Sequence, residues 1–394
     1  MSTNDPIVIV SAARTPMGGF QGDFTSLTAP QLGGVAIKAA VERAGLPADA
    51  VQELIFGCVL PAGLGQAPAR QAALNGGLPL TAGCTTINKV CGSGMKATLL
   101  AHDLLLSGSN DVIIAGGMES MSNAPYVLTR ARGGYRLGHG QAFDHMFLDG
   151  LEDAYEGKLM GYFADLAAAE FGIARERQDA YAAESVRRAQ HAVASGAFRE
   201  EIAPVAIPGR QGEKVISDDE TPGTCDIAKI SKLKPAFTKD GSITPANASS
   251  ISDGAAALVM MRESEALRRG ITPLARILSH ATHAQQPGRF PTAPAPAIRR
   301  ALERAGWGVG DVDLFEINEA FAVVTLLAMD ELGLPAEVVN VNGGACAMGH
   351  PVGATGARIL VTLIHALRAR GLRRGLASLC IGGGEATAMA IEVL

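Results

Sequence analysis

The stretch AIKAAVERAG at residues 36–45 recurs as AIRRALERAG at residues 297–306, and seven of the ten positions are identical. In each copy good helix formers alternate with apolar residues, and a glycine, Gly45 or Gly306, follows the last helical position. A second match in the same order relates IIAGGMES around Gly116 to LCIGGGEA around Gly382. The two offsets are 261 and 266 residues, so the matches together predict a duplicated fold.

Short apolar runs bounded by turn residues lie between these helical patterns. The runs IVIV, ELIF and VIIA at 7–10, 53–56 and 112–115 are typical of strands buried on both faces. Strands that alternate with helices indicate an α/β fold. The middle of the chain, 122–248, interrupts the duplication with a helix-rich stretch at 175–195 and a polar segment, DDETPGT, at 218–224. We interpret this region as an insertion, and insertions on a rigid scaffold often shape binding sites.

The composition limits the classes of function that this chain can have. The chain has 394 residues, 47% of them hydrophobic, which is enough for a large buried core. A net charge of −5 argues against sequence-independent binding to nucleic acid or to an anionic membrane. The start of the chain does not resemble a signal peptide, and no apolar run is long enough to span a bilayer, so we expect a cytoplasmic protein. Six scattered cysteines without a CxxC pair are expected to be reduced thiols.

Cys91 lies in NKVCGSGMKA, where an apparent strand passes through Gly92 and Gly94 into an apolar helix. Such a turn places the thiol at a helix N-terminus, where the aligned peptide dipoles stabilise a thiolate, the attacking form. The glycines let a substrate approach the backbone closely. The local pattern fits a buried structural cysteine equally well.

Three further blocks carry polar or nucleophilic groups beside tight turns. His350 lies in NGGACAMGHPVGATGAR, Cys380 begins CIGGGEATA, and Asn318 and Glu319 lie in INEAFA. An imidazole can deprotonate a thiol, the bare amides of a glycine-rich loop can face an oxyanion, and an asparagine amide can hold a water. Each block also has an ordinary explanation, namely a structural histidine, a tight turn near the chain end and a helix cap.

Taken together, the four blocks, in this order and near these spacings, resemble the signature blocks of thiolases. The resemblance extends from IVIVSAARTP at 7–16 to the last strand and so covers essentially the whole chain. It implies a layered α/β fold of two similar halves, each with a five-stranded sheet, and an inserted loop domain. The implied boundaries are 1–121 for the N-terminal half, completed by 249–271, then 122–248 for the loop domain that carries coenzyme A and 272–394 for the C-terminal half.

The resemblance also implies a role for each residue of the catalytic blocks. Cys91 matches the nucleophile that takes the acyl group, His350 the base that activates it, and Cys380 the acid/base that handles the substrate α-proton. Asn318 matches the residue that holds a water molecule. This water and the histidine together form one oxyanion site. The second oxyanion site uses the backbone amides that match Cys91 and Gly382.

Coenzyme A thioesters are the implied substrates, with no permanently bound cofactor and no metal. Ser249 matches a contact to the pantetheine arm, Phe237 and Met160 match apolar contacts in the loop domain, and Phe321 lines the same region. Short-chain members of the family often have histidine where this chain has Leu159, which removes an expected polar contact. For the basic residues that contact the coenzyme A phosphates, the sequence offers only candidates, namely Lys229, Lys232 and Lys234.

The implied reaction is the reversible Claisen condensation of two acetyl-CoA molecules to acetoacetyl-CoA and coenzyme A, with ping-pong kinetics through an acyl-cysteine. The alternative is a broader-range 3-ketoacyl-CoA thiolase of fatty-acid or aromatic degradation. The implied assembly is a homotetramer, a dimer of dimers.

Two related enzyme classes share the duplicated fold and the cysteine nucleophile. Ketoacyl synthases pair the cysteine with two histidines, and hydroxymethylglutaryl-CoA synthases use a glutamate, whereas this chain offers His350 and Cys380. A noncatalytic thioester-binding or scaffold protein is expected to lack one of the three residues. Cys91, His350 and Cys380 are all present, which favours the thiolase interpretation.

Overall fold

The structure is a computed structural model that describes residues 5–209 and 212–394; residues 1–4 of the predicted N-terminal half and 210–211 of the predicted loop domain lie outside it. The strands are β1 (Ile7–Arg14), β2 (Gly18–Gly19), β3 (Glu53–Gly57), β4 (Gly83–Ile87), β5 (Val112–Ser120), β6 (Tyr126–Val127), β7 (Phe143–Asp144), β8 (Val205–Gly209), β9 (Gly212–Ile216), β10 (Ser252–Arg262), β11 (Ala275–Ala284), β12 (Leu314–Ile317), β13 (Arg374–Ile381) and β14 (Glu385–Val393). The α-helices are α1 (Ala29–Ala44), α2 (Pro68–Asn75), α3 (Ser93–Ser107), α4 (Met160–Glu170), α5 (Arg175–Ser195), α6 (Glu220–Thr224), α7 (Glu263–Arg268), α8 (Pro294–Ala305), α9 (Ala322–Leu332), α10 (Ala345–Met348) and α11 (Thr355–Arg370).

The main sheet contains the duplication that the sequence predicts. Its strand order is β4-β3-β5-β10-β1-β11-β14-β13-β12, and β1 and β11 are joined through only two residue pairs. On one side of this joint β10, β5 and β3 follow β1, and on the other side β14, β13 and β12 follow β11 with the same parallel and antiparallel pairings. The α/β class is therefore confirmed.

The two halves differ at their outer edges. The first half ends in the full strand β4, whereas the second has one isolated parallel bridge, between Phe315 and Val339, at the corresponding place. Asn340 has a positive φ of 47°, a value that an extended strand cannot contain. The fifth strand expected for the second half is thus reduced to a single bridge.

Alternation of side chains along the strands builds a core on each face of the sheet. In β1, Val8 faces a core formed with α1 and α2, whereas Ile9 faces a central core that contains α3 and α11. In β14, Met389 faces the same central core and Ala388 faces a third core with α8 and α9. The order of layers is therefore outer helices, sheet, central helices, sheet and outer helices, as expected for a layered fold.

Local signals set most of the helix ends. Helices α1 and α8 end where the repeat predicts, because Gly45 and Gly306 adopt left-handed φ values of 64° and 70°. Helix α5 has the predicted bounds, 175–195. The strands run longer than their apolar cores suggest; β5, for example, continues to Ser120 because Gly116 and Gly117 remain in the sheet.

The two central helices occupy equivalent positions in the two halves, and their N-termini meet. A Cβ atom at Gly94 of α3 would lie 2.8 Å from the backbone nitrogen of Ala357, and one at Gly356 of α11 would lie 2.3 Å from that of Met95. Both distances are below contact distance, so only glycine permits this approach. The residues that precede the two helices are consequently brought to one place.

The described part of 122–248 contributes no strand to the main sheet, and its pairs β6-β7 and β8-β9 stand apart. Arg14 of β1 anchors this region, since its buried guanidinium lies 2.6 Å from Glu201 and 2.6 Å from Asp219 and stacks over Phe198. These side chains satisfy the charge of an arginine that is fully removed from solvent. Within the described ranges no helix has the length and apolar character needed to cross a bilayer.

Candidate active site

Cys91 occupies a strained turn between the end of β4 and the start of α3. The preceding residue, Val90, has a positive φ of 46°, an uncommon conformation for a β-branched side chain that costs about 1–3 kcal/mol. Ser93 holds the turn, because its hydroxyl donates to the carbonyl of Val90 at 2.7 Å and accepts from the amide of Lys89 at 2.8 Å. Strain kept in place by specific hydrogen bonds points to a functional position for the thiol that follows.

A cavity of about 400 Å³ opens beside this turn and joins most of the residues that the sequence singled out. Cys91, His350 and Cys380 all line it, although they are far apart in the chain. The other predicted site residues on its wall are Met160, Phe237, Ser249, Phe321 and Gly382. Asn318 is not on the wall.

Burial makes Cys91 a neutral thiol at rest. The side chain is partly buried at the cavity wall, and the resulting loss of solvation raises the pKa of Cys91 to about 11, although hydrogen bonds from the backbone N–H groups of Gly382 and of Cys91 itself oppose the shift. The peptide groups that the sequence predicts to stabilise a thiolate do favour it, but desolvation outweighs them. The thiol needs a base that removes its proton as it reacts.

His350 is placed to act as this base, because its hydrogen bonds fix one tautomer. The hydroxyl of Thr355 donates to the carbonyl of Pro351 at 2.9 Å, so its oxygen must accept from the Nδ1–H of His350, 2.6 Å away. Nε2 then carries the lone pair, and this buried nitrogen has no protein partner among the described residues. Burial, with a contribution from Arg358, lowers the pKa of His350 to about 3, so the imidazole is neutral at neutral pH.

Cys380 and the glycine-rich loop lie beside the nucleophile at the end of β13. Cys380 is the next-to-last residue of β13 and is 1% exposed. Burial, together with the nearby sulfur of Cys91, raises the pKa of Cys380 well above its usual value. Because Gly382 directs its amide at Cys91, the loop supplies a donor beside the atom that would carry an acyl group.

Asn318 lies directly after β12, and its side chain is 1% exposed. Neither the amide oxygen nor the amide nitrogen has a hydrogen-bond partner in the described part of the chain. Buried amide groups are nearly always satisfied, so a water is the expected partner here. This agrees with the water-holding role that the resemblance implies, and that role stays a prediction.

Two buried glutamates position the loops of the site, and Glu119 was not recognised from the sequence. Its carboxylate accepts from the amides of Val59, Leu60 and Gly353 at 2.8, 3.1 and 3.0 Å. It thus ties the loop after His350 to the end of β3, although burial raises its pKa to about 7. The only sequence signal was an acidic residue at the end of an apolar strand, which does not reveal its partners.

Glu319 has the same function on the other side of the histidine loop. Its carboxylate accepts from the hydroxyls of Tyr181 and Ser185 at 2.8 and 2.7 Å, from the amide of Asn340 at 2.9 Å and from the backbone N–H of Cys346 at 3.0 Å. Helix α5 of the middle region, β12 and the glycine-rich segment before His350 are thereby held together.

Aromatic side chains form the wall that the resemblance assigns to coenzyme A. The rings of Phe237 and Phe290 pack on that of Phe321, with centroids 6.0 and 6.2 Å away. The sulfur of Met160 would lie 3.6 Å from a Cβ at Gly382, which places the thioether beside the glycine-rich loop. The three candidate lysines, Lys229, Lys232 and Lys234, are exposed, and Lys229 lies 3.2 Å from Asp226.

Comparison with known proteins agrees with this geometry. The family described as "Thiolase, N-terminal domain" matches residues 7–264, and "Thiolase, C-terminal domain" matches 271–393. The acetyl-CoA acetyltransferase of Escherichia coli is 52% identical over 389 residues, covering 98% of this chain and 99% of that protein, and the one from Cupriavidus necator is 50% identical over 388 residues with the same coverage. The crystal structure of the Bacillus anthracis acetyl-CoA acetyltransferase superimposes with a TM-score of 0.96 at 43% identity, covering 99% of each chain.

Proposed function

Because the chain belongs to the thiolase family, an acyltransferase family, we propose that it is an acetyl-CoA C-acetyltransferase. The proposed reaction condenses two acetyl-CoA molecules reversibly to acetoacetyl-CoA and coenzyme A through an acetyl group on Cys91. One observation carries the proposal: a thiol, a neutral imidazole whose Nε2 has no partner in the described ranges, and a second thiol line a single cavity. The names of relatives about 50% identical over nearly the full chain support it.

In the first half-reaction, Nε2 of His350 takes the proton of Cys91 while the sulfur attacks the carbonyl carbon of acetyl-CoA. Transfer during attack avoids an isolated buried thiolate, whose formation burial opposes. The negative charge on the carbonyl oxygen is stabilised by backbone amides, each such donor being worth about 3–4 kcal/mol in the transition state. The bond to the coenzyme A sulfur then breaks, and that sulfur leaves with the proton from His350.

In the second half-reaction, the sulfur of Cys380 removes a methyl proton from the second acetyl-CoA as its own proton passes to His350, so that no isolated buried thiolate forms. The resulting carbanion attacks the acetyl carbonyl on Cys91, with the Asn318 water as the proposed donor to the oxygen. Collapse of this intermediate breaks the bond to Cys91, whose sulfur recovers a proton from His350. The products are acetoacetyl-CoA and an enzyme with both thiols protonated.

We predict that Thr355→Val lowers kcat/KM by roughly 5- to 150-fold, because loss of one hydrogen bond to a buried group costs about 1–3 kcal/mol. Without the hydroxyl, Nδ1–H of His350 has no acceptor, and the tautomer with the proton on Nε2 becomes accessible. Steady-state kinetics measure the loss, which should fall mainly on kcat. Thr355→Ser keeps the hydroxyl and should restore most of the activity; equal losses in both variants would contradict the positioning role.

The acyl end of the cavity sets the proposed substrate length. We predict that acetoacetyl-CoA is the best substrate for cleavage by free coenzyme A, with kcat/KM falling at six carbons and beyond. Each methylene without a pocket forfeits about 0.8 kcal/mol, which is roughly fourfold in kcat/KM. A series of 3-ketoacyl-CoA substrates tests this, and a rise from four to eight carbons would replace our proposal by the broader-range 3-ketoacyl-CoA thiolase.

Met160 offers a matched test of the same idea, since its flexible thioether lies beside Gly382 and fills space at the acyl end. Met160→Ala should raise activity on six-carbon substrates relative to four-carbon ones. Leu166→Ala, on the same helix α4 but half exposed and outside this cavity, is the control and should leave the ratio unchanged.

A homotetramer in the cytoplasm stays a proposal by family analogy. Large apolar side chains stand exposed in the described part of 122–248, among them Tyr126, Leu137 and Tyr155 at 69%, 98% and 78%. Where such side chains adjoin one another on the surface, they are typical of contact surfaces between subunits. Sedimentation velocity measures the assembly, and a monomer at assay concentration would overturn it.

A further inference from the structure

A second cluster of reactive side chains lies where helix α3 contacts strand β11. His102 and Asp103 come from α3 in the first half of the duplication, and His280 comes from β11 in the second half. The imidazole side chains of His102 and His280 are only 13% and 18% exposed, whereas the carboxylate of Asp103 is 56% exposed. None of the three lines the cavity of Cys91, and the proposed reaction uses none of them.

The three donor atoms form a nearly equilateral triangle. Nδ1 of His102 lies 3.2 Å from Nε2 of His280, and Oδ1 of Asp103 lies 3.0 and 3.1 Å from these two nitrogens. A tetrahedral zinc ion with ligands at about 2.0–2.1 Å holds neighbouring donor atoms roughly 3.3–3.4 Å apart. The triangle therefore has close to the size of one face of such a tetrahedron, and the exposed carboxylate leaves room for water at the other positions.

We propose that His102, Asp103 and His280 form a binding site for a divalent ion that favours imidazole ligands, of the zinc, cobalt or nickel class, completed by water. The ion would link α3, which begins beside Cys91, to a strand of the other half. We therefore expect the bound ion to stabilise the fold. The competing arrangement has no ion: both ring N–H groups donate to Asp103, which accepts two hydrogen bonds.

Titration of the full-length enzyme with Co²⁺, followed by calorimetry and visible absorption, tests the site. Wild type should bind one equivalent at this site, with the spectrum of nitrogen and oxygen ligands, and its thermal unfolding midpoint should rise with Co²⁺. His280→Gln keeps a group that can hydrogen-bond to Asp103 but removes a ligand, and should weaken binding about tenfold or more. Asp103→Asn should do the same.

His283→Gln is the matched control, because His283 lies on the same strand and bonds Gln285 outside the cluster. It should bind Co²⁺ like wild type and show the same rise in unfolding midpoint. The proposal is overturned if wild type binds no Co²⁺, or if His280→Gln binds as tightly as His283→Gln. A thiolate-to-cobalt band that persists in His280→Gln, with no other binding lost, would assign the metal to the cysteines instead.

Discussion

Cys91→Ser is expected to reduce acetyl transfer by a factor on the order of 10⁴ or more, the scale of losses when a covalent nucleophile is removed. A serine hydroxyl is a much weaker acid than a thiol, and burial already raises the pKa of Cys91 to about 11. The imidazole of His350, whose pKa burial lowers, takes a proton from so weak an acid far less readily than it does from the thiol. Initial rates of acetyl-CoA condensation measure the effect.

The same prediction has a chemical readout. Wild-type enzyme mixed with acetyl-CoA and quenched should carry an acetyl group on the peptide that contains Cys91. Cys84→Ser is the matched control, because Cys84 is half-buried near the start of β4, the strand that leads into the turn, and does not line the cavity. That variant should keep its activity and the adduct. An acetyl group mapped to another cysteine would refute the assignment of the nucleophile.

His350→Ala and Cys380→Ser should separate the two half-reactions. His350→Ala should slow formation of acetyl-Cys91 by about 10²- to 10⁴-fold, the usual worth of general acid–base catalysis. Cys380→Ser should leave this step largely intact and lose a similar factor in proton removal from the second acetyl-CoA. The reason is that the proposed acylation of Cys91 uses His350 but not Cys380, whereas proton removal from the methyl group needs Cys380.

Rapid-quench measurement of acetyl-enzyme gives the first rate, and exchange of acetyl-CoA methyl hydrogens with deuterated water reports the second. Cys380→Ser should accumulate acetyl-enzyme and lose the exchange. Equal loss of acetyl-enzyme formation in both variants would contradict this division of roles. Thermal unfolding of each variant, compared with wild type, separates a catalytic loss from a loss of fold.

The sequence by itself determined the features that depend on neighbours along the chain. The copies at 36–45 and 297–306 predicted the duplication and the ends of α1 and α8, because a glycine in the left-handed region terminates a helix by a local rule. The four blocks around Cys91, Asn318, His350 and Cys380 predicted the family, which the comparisons show. These signals need no knowledge of packing.

Only the tertiary structure decided what the grouped side chains can do. The helix N-terminus predicted peptide groups that stabilise a thiolate at Cys91, but desolvation depends on atoms from distant segments, and it outweighs that stabilisation. The tautomer of His350 follows from the hydroxyl of Thr355, whose own donation to Pro351 is visible only in three dimensions.

Long-range contacts likewise escape any local pattern. Glu119 meets Gly353 across 234 residues, and His280 meets His102 across 178, so no spacing rule along the chain connects them. The sequence gives the order of the chemical groups along the chain, whereas the packing of the two halves of the main sheet around α3 and α11 determines which of these groups meet. Distance, desolvation and the direction of each hydrogen bond are properties of that packing, and they set the chemistry of the site.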